Sequence, residues 1–191
     1  MNYLCSAKLA QETMEESNYN PIQGIKRHFF AMRNGIIADT LRKAGSPFRY
    51  IFGLNIPQIA DIAAQTGTDS PLAEALWANT TTRESMLLAP MIADKASFSI
   101  DDAMRWVSAV PATEVADILC HRLLRHQPYA WELAEKLAGC GEKGYSRYTA
   151  MRLAFNLLSS APERALAFAQ AHAGYPLAPQ IIEEAEFVLD K

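Results

Sequence analysis

Three polar side chains of different chemistry occur four residues apart near the middle of the chain. Asp117, His121 and Arg125 occupy positions i, i+4 and i+8, so a continuous helix would place them on one face. A carboxylate, an imidazole and a guanidinium in one row could form a reactive cluster near a phosphate group. The alternative is a solvated helix face, on which each i, i+4 pair contributes only about 0.2–0.5 kcal/mol. Both interpretations remain open at this point.

Basic residues form three groups that could contact phosphate oxygens. The groups are Arg42 with Lys43, then Arg122, Arg125 and His126, and finally Lys143, Arg147 and Arg152. Each group is equally explained by cations near helix C-termini or on an exposed face. The net charge of −3 argues against nucleic-acid binding over the whole surface. Phosphate contacts would therefore have to be gathered on one face.

Several other kinds of chemistry find no support in the sequence. The four histidines show no spacing typical of a metal site, and the chain contains no Gly-rich phosphate loop and no nucleophile elbow. We therefore expect neither a metal nor a cofactor. Cys5, Cys120 and Cys140 are widely spaced and odd in number, which is typical of reduced thiols in a cytoplasmic protein.

Length and composition predict one globular domain over residues 1–191. The chain has 191 residues, of which 50% are hydrophobic and 20% are charged. Its longest apolar runs, such as Met86 to Ala93, are far shorter than the roughly 20 residues of a membrane-spanning helix. The N-terminal residues contain no basic start followed by an apolar block, so we expect no secretory signal and a cytoplasmic location.

The elements that must position these side chains are short helices. Residues 69–71, Asp-Ser-Pro, combine an N-cap with a proline at the first helical position, and Ser99 with Asp102 resembles a capping box. Thr82 is expected to cap the helix that follows it. Pro90 is expected to kink or shorten that helix.

The stretch LWANTTTRESMLLAPM, Leu76 to Met91, is typical of two helices joined by a polar turn. Similar signals predict eight to eleven helices with short connections, and no alternation typical of strands occurs. The sequence therefore predicts an all-helical array of antiparallel helix pairs, similar in length to HEAT-type repeats.

The most conspicuous large side chains fit such a core. Trp77, Trp106 and Trp131 each lie within an apolar helical stripe, so we expect core packing. Arg83 and Glu84 are expected to form a structural ion pair in preference to a phosphate contact, because Glu84 would repel a phosphate.

Four segments resemble the AlkD-like DNA alkylation repair glycosylases in order and spacing. They are FGLNIPQIADIA, ALWANTTTRESMLLAPMIAD, SIDDAMRWVSAVPATEVADIL and a helix that begins YSRYTAMRLAF. The resemblance covers roughly Phe48 to Ser159. It implies a right-handed superhelix of HEAT-like repeats with a concave surface that holds duplex DNA by its backbone. It also implies an enzyme that excises positively charged alkylated purines from this DNA.

The resemblance also implies roles for individual residues. Asp117 falls at the position of the family's catalytic carboxylate, and Tyr145 opens the later helix where the family has a tryptophan. Two positions depart from the family pattern. Thr113 stands where a tryptophan precedes the carboxylate, and Tyr148 stands where an arginine is expected, with Arg147 and Arg152 nearby.

Two functions of different classes follow from these residues. The first is excision of methylated purines from duplex DNA, with Asp117 and Tyr145 in the cleft. The second is a non-catalytic helical-repeat scaffold that binds DNA or a protein partner, which Thr113 and the acidic balance favour. If the partner is DNA, the expected DNA contacts are Arg122, Arg125, Lys143, Arg147 and Arg152.

Overall fold

The computed structural model describes residues 20–141 and 144–190, and within them the chain forms eleven α-helices. Their bounds are α1 Pro21–Ala31, α2 Gly35–Lys43, α3 Ile56–Thr66, α4 Ser70–Trp77, α5 Arg83–Ile92, α6 Ile100–Ser108, α7 Thr113–Arg122, α8 Ala130–Gly139, α9 Ser146–Leu157, α10 Pro162–Ala171 and α11 Ala178–Leu189. Short 3-10 turns follow α7 and α9. A single bridge between Tyr50 and Thr82 is the extent of β pairing in these ranges. The all-helical prediction is confirmed.

The longest of these helices have 12 residues, fewer than the about 20 that a membrane-spanning helix needs. The N-terminal residues used to judge a secretory signal lie outside the described residues. Cys5 and the predicted DNA contact Lys143 lie outside them as well.

Side-chain caps start several helices at their predicted positions. Asp69 caps α4 by accepting the backbone N–H three residues on, at 2.9 Å. Ser99 and Asp102 form the predicted capping box of α6. Thr82 forms no cap bond with α5, because its hydroxyl donates to Asn79 Oδ1 at 3.4 Å instead. Thr82 therefore occupies the predicted N-cap position of α5, but its side chain does not cap the helix.

Helices that alternate along the chain form one continuous layer. In this layer α3 contacts α5, α5 contacts α7, and α7 contacts α9. The helices between them pack on this layer as consecutive pairs, such as α4 with α5 and α8 with α9. The layer brings α7 and α9 side by side, although 23 residues separate the end of α7 from the start of α9 in the sequence.

The core is centred on α5. Every residue from Arg83 to Pro90 is buried, and the helix continues through Pro90 to end two residues later at Ile92. Trp77 and Trp106 stack nearby with ring centroids 4.3 Å apart and an interplanar angle of 7°. Both rings are buried, which confirms their predicted place in the core.

Gly53 fixes the loop that enters α3. Its φ of +81° is a backbone conformation that L side chains rarely adopt, and a Cβ there would lie 2.1 Å from the carbonyl oxygen of Asn34. The loop approaches so closely because the backbone N–H of Asn34 donates to the carbonyl of Phe52 at 2.8 Å. Only glycine fits at this position.

Candidate nucleic-acid interface

Asp117 lies on the partly exposed side of α7, beside α9. The opposite side of α7 is apolar and fully buried, as predicted: Ala116, Leu119, Cys120 and Leu123 each have 0% exposure. This buried stripe anchors the helix and turns Asp117 outward, so that 30% of its side chain stays accessible. Asp117 is therefore positioned by the core packing of its own helix.

Two side chains of α9 hold the carboxylate of Asp117. The hydroxyl of Tyr148 donates to Oδ1 at 2.8 Å, and Nε of Arg152 donates to the same oxygen at 2.6 Å. Among the residues that the structure describes, none donates a hydrogen bond to Oδ2. Both donors therefore meet the carboxylate at the same oxygen.

The protonation states of the two donors are stable around neutral pH. Burial, and then the hydrogen bond to Asp117, raise the pKa of Tyr148 to about 12. The hydrogen bond to Asp117 also raises the pKa of Arg152. Both groups therefore remain donors, and Arg152 remains a cation beside the carboxylate.

Tyr148 stands where the family resemblance predicts an arginine, but another arginine of α9 contacts the same carboxylate. Arg152, one helical turn further along α9, supplies the guanidinium to Asp117. The tyrosine at 148 contributes a second donor. An arginine therefore reaches the carboxylate from a neighbouring position.

Tyr145 precedes α9 and lies next to the same cluster. Its ring contacts that of Tyr148 edge-on, with centroids 6.5 Å apart. Tyr145 also lines a cleft of about 280 Å³ with Thr113, Glu114 and the loop of residues 44–48. Tyr145 is thus linked to Asp117 through Tyr148, and its predicted catalytic role stays a prediction.

Arg125 does not continue the row of Asp117 and His121. The helix α7 ends at Arg122, and the chain passes into a 3-10 turn at Leu124–His126. The change of geometry lets the consecutive residues Leu123 and Leu124 both reach the core with 0% exposure. The predicted i+8 register is therefore wrong, and Nε of Arg125 instead lies 3.3 Å from Nε2 of His126.

A basic patch nevertheless forms at this end of the layer. We define it by five residues: Lys95, His121, Arg122, Arg125 and His126. The pKa of His126 is lowered, first by partial burial and then by Lys95, Arg125 and His121. The pKa of His121 is lowered in the same way, first by partial burial and then by Arg125, Arg122 and Arg152. Lys95, Arg122 and Arg125 are therefore three cationic side chains close to the two imidazoles.

A pocket of about 310 Å³ lies beside the basic patch. Three alanines of α3, Ala60, Ala63 and Ala64, here called the alanine floor, line it together with Met91, Lys95 and Arg122. Small residues let a bulky ligand approach the helix backbone closely. The pocket is thus a shallow surface with cations at its edge.

The remaining predicted DNA contacts have other neighbours. The guanidinium of Arg147 lies over the ring of Tyr175, 4.6 Å from its centroid. Arg152 is paired with Asp117, although its charge also acts on His121. The structure therefore brings Arg122 and Arg125 together in the basic patch and assigns Arg152 to the carboxylate.

Arg83 and Glu84 form the predicted structural ion pair inside the core. Arg83 is 4% exposed and Glu84 is 0% exposed, and Nη1 of Arg83 lies 3.0 Å from Oε1 of Glu84. Glu84 also accepts the backbone N–H groups of Phe52 at 3.1 Å and Gly53 at 2.9 Å. The pair ties α5 to the loop before α3.

Glu114 is a partner of this network that the sequence analysis did not single out. Nε of Arg83 donates to Oε2 of Glu114 at 2.8 Å, and Nη2 donates to Oε1. Burial tends to lower the pKa of Arg83, but its two carboxylate partners raise it overall. The side chain of Glu114 is 37% exposed. Its place in the first turn of α7, next to Thr113, is the local signal that could have drawn attention to it.

No group of His, Cys, Asp and Glu side chains within the described residues is arranged to hold a metal ion. The two cysteines in these residues are both free thiols, Cys120 in the core and Cys140 at the surface.

Comparison with known proteins identifies the family and the fold of the chain. A family model described as DNA alkylation repair enzyme matches residues 25–174. The chain belongs to this family, and its helices form the HEAT-like repeat fold predicted from the sequence.

A solved structure is also similar to this chain. It is described as "A new family of proteins related to the HEAT-like repeat DNA glycosylases with affinity for branched DNA structures" and superposes with a TM-score of 0.66 at 19% sequence identity. The match covers 77% of this chain and 63% of that one, so this chain spans less than two thirds of its length. At this identity the match establishes the fold alone. No curated protein sequence matches the chain.

Proposed function

We propose that this protein binds duplex DNA and releases positively charged alkylated purines such as 7-methylguanine. The observation that carries the proposal is the partly exposed carboxylate of Asp117, oriented by Tyr148 and Arg152 on the surface that continues into the basic patch. Membership of the DNA alkylation repair family supports the same reaction class.

The chemistry suits a single well-placed anion. An alkylated purine carries a positive charge, so when its N-glycosidic bond breaks, the electron pair moves onto the base, which leaves neutral. The sugar develops positive charge at C1′, and water then adds there and loses a proton. Oδ2 of Asp117 would stabilise the charge on the sugar, since a fixed anion acts most strongly where charge develops.

The basic patch would hold the DNA backbone beside this carboxylate. Lys95, Arg122 and Arg125 provide cations around the alanine floor of α3, and a strand could lie close to that floor. Such contacts fix the register of DNA without reading its sequence. The protein would then recognise its substrate by the positive charge of the alkylated base and not by the sequence of the neighbouring bases.

A second candidate function is non-catalytic DNA binding. It is favoured by the ion pair with Arg152, which neutralises much of the charge of Asp117, and by Thr113 where the resemblance expects an aromatic residue. The similar solved structure is described as having affinity for branched DNA. In this candidate the protein binds duplex or branched DNA and leaves its bases intact.

The two candidates are separated by one pair of assays. The protein in excess is incubated with a duplex that carries a single 7-methylguanine, and released base is measured by chromatography. Binding to an unmodified duplex and to a four-way junction is measured in parallel at low salt. Release supports the first candidate, whereas binding without release supports the second. If neither DNA is bound, both are wrong, and a protein partner becomes the remaining role for the scaffold.

A further inference from the structure

Large apolar side chains are exposed at the two ends of the helical array. Within the described ranges, the large hydrophobic side chains with the highest exposure are Phe30, Ile36, Tyr50, Phe187, Val188 and Leu189. All of them except Tyr50, which follows α2, belong to the first two helices or to the last one. In helical-repeat proteins the terminal helices usually have a polar outer face that keeps the array soluble. The terminal helices of this protein therefore depart from the usual pattern.

Helices α1 and α11 lie at opposite ends of the array. Helix α1 packs chiefly on α4, whereas α11 packs chiefly on α10 and α9. Each buries one stripe toward the core, formed by Ile25 and Phe29 in α1 and by Ile181 and Ala185 in α11. The outer face of each helix remains exposed in the part of the chain that the structure describes.

The outer face of α1 carries a phenylalanine between two cations. Lys26, Phe30 and Arg33 occupy positions i, i+4 and i+7, and all three are exposed, Phe30 by 57%. The guanidinium of Arg33 lies 3.9 Å from the centroid of the Phe30 ring. Arg27 is also exposed on α1, and this helix contains no acidic residue. We call Lys26, Phe30 and Arg33 the basic end face.

The outer face of α11 carries a phenylalanine between carboxylates. Glu183, Glu186, Phe187 and Asp190 occupy positions i, i+3, i+4 and i+7, and all four are exposed, Phe187 by 60%. The helix contains no basic residue. The ion pairs among the described residues involve none of these carboxylates and none of the cations of the basic end face. We call these four residues the acidic end face.

The two end faces are complementary. Each presents one aromatic ring, which is flanked by cations on one face and by carboxylates on the other. A contact between two faces of the same kind would bring like charges together, which is unfavourable. A contact between a basic and an acidic end face would pair the charges and remove both rings from water. Both faces are exposed, so the complementary face has to come from a second molecule.

We propose that a second copy of this chain is the partner of each end face, with α1 of one molecule packed against α11 of the next. The contact joins two different surfaces, so it adds molecules head to tail into a row, or into a ring if the rotation between copies closes. This association requires neither DNA nor the residues around Asp117.

Analytical ultracentrifugation of the full chain, without DNA, measures this association. Two single helix faces bury less than the about 1,200 Å² of a standard interface, so we expect weak binding that becomes visible at about 10⁻⁵–10⁻⁴ M protein. The weight-average mass should rise at least about 1.5-fold through this range at about 0.05 M salt. The rise should be smaller at about 0.5 M salt, because salt screens the charges.

Charge reversal tests whether the two end faces are the surfaces that meet. The variant Glu183→Lys, Glu186→Lys, Asp190→Lys has two basic ends and should stay monomeric. The variant Lys26→Glu, Arg33→Glu has two acidic ends and should stay monomeric as well. An equimolar mixture of the two variants should associate again, because each basic end can then meet an acidic end. Thermal melting verifies that each variant is folded.

The matched control reverses three exposed carboxylates elsewhere. The variant Glu132→Lys, Glu135→Lys, Glu163→Lys changes α8 and α10 and alters the net charge by the same amount as the reversal on α11. It should associate like the wild-type protein. The control thus separates a specific contact between end faces from an effect of total charge.

Self-association that each end-face reversal abolishes and that the mixture restores supports the proposal. A wild-type protein that stays monomeric through this concentration range at low salt would overturn it, whatever else covers the two faces. Association that the end-face reversals leave unchanged, or that the control abolishes equally, would overturn it too, and so would a mixture that stays monomeric.

Discussion

Nε of Arg152 donates a 2.6 Å hydrogen bond to Oδ1 of Asp117 across the contact between α9 and α7. The two residues are 35 positions apart in the sequence. Tyr148, one turn before Arg152, donates to the same oxygen. The orientation of this carboxylate therefore depends on the packing of two helices, and any role of Asp117 depends on it as well.

The ion pair should be measurable as a coupling energy. In a double-mutant cycle of Asp117→Asn and Arg152→Ala, followed by urea unfolding, we expect a coupling of about 0.5–1 kcal/mol, since both side chains are partly exposed. The exposed pair of Glu132 and Lys136 on α8 is the control, with an expected coupling of about 0.3–0.5 kcal/mol. A coupling at Asp117 that is indistinguishable from zero would show that the two side chains do not hold each other.

The basic patch should govern the salt dependence of DNA binding. We expect the double variant Arg122→Ala, Arg125→Ala to make the plot of log affinity against log salt shallower by about 1 to 2 units of slope. Each phosphate contact that the variant loses means that about one counterion fewer is released when DNA binds. The control is the double variant Lys136→Ala, Arg164→Ala, which removes two exposed cations, one from α8 and one from α10. If both double variants change the slope equally, the DNA does not bind preferentially at the patch.

Gly53 should be far less tolerant of substitution than Gly45. Both have a positive φ, +81° and +84°, but only at Gly53 would a Cβ collide with backbone atoms. We expect Gly45→Ala to lower the free energy of unfolding by about 1 kcal/mol from backbone strain alone. Gly53→Ala should cost more than about 3 kcal/mol or prevent folding. Equal melting temperatures for the two variants would contradict the close approach of this loop to Asn34.

Alkaline pH should destabilise the fold through two tyrosines. The pKa of Tyr129 and that of Tyr148 are both raised to about 12, chiefly by burial, from the ordinary value of 10.0. Between these values the unfolded chain loses the phenolic protons first, so their contribution is complete below pH 10 and is lost as the pH rises toward 12. Urea midpoints measured from pH 9 to 12 should fall less steeply for Tyr148→Phe than for the wild-type protein. An identical pH dependence would argue against the burial of Tyr148.

The sequence predicted features that depend on one helix at a time. The Asp69 cap, the Ser99–Asp102 capping box and the buried stripe of α7 follow from local spacing, and the structure confirms each of them. The row ending at Arg125 failed because two consecutive leucines after α7 are both drawn into the core. The periodicity of a sequence predicts which residues share a face of a regular helix. It does not predict the residue at which core packing ends the helix.

Contacts between helices were harder to predict. Spacing within α7 could not reveal that Arg152 donates a hydrogen bond to Asp117. Nor could it reveal that Arg83, 31 positions before Glu114 in the sequence, donates to the Glu114 carboxylate. Such partners depend on which helices lie side by side in the layer. The resemblance to a known family identified Asp117, but its surroundings required the fold.

The most direct test of the account is the single-turnover release of 7-methylguanine from a duplex with one lesion, with protein in excess. The wild-type protein and the charge control Glu132→Gln should release the base at the same rate. Asp117→Asn should be slower by about 10²–10³-fold, the loss expected when one charge-stabilising group is removed. Release by Asp117→Asn at the wild-type rate, or no release by the folded wild-type protein, would contradict the account.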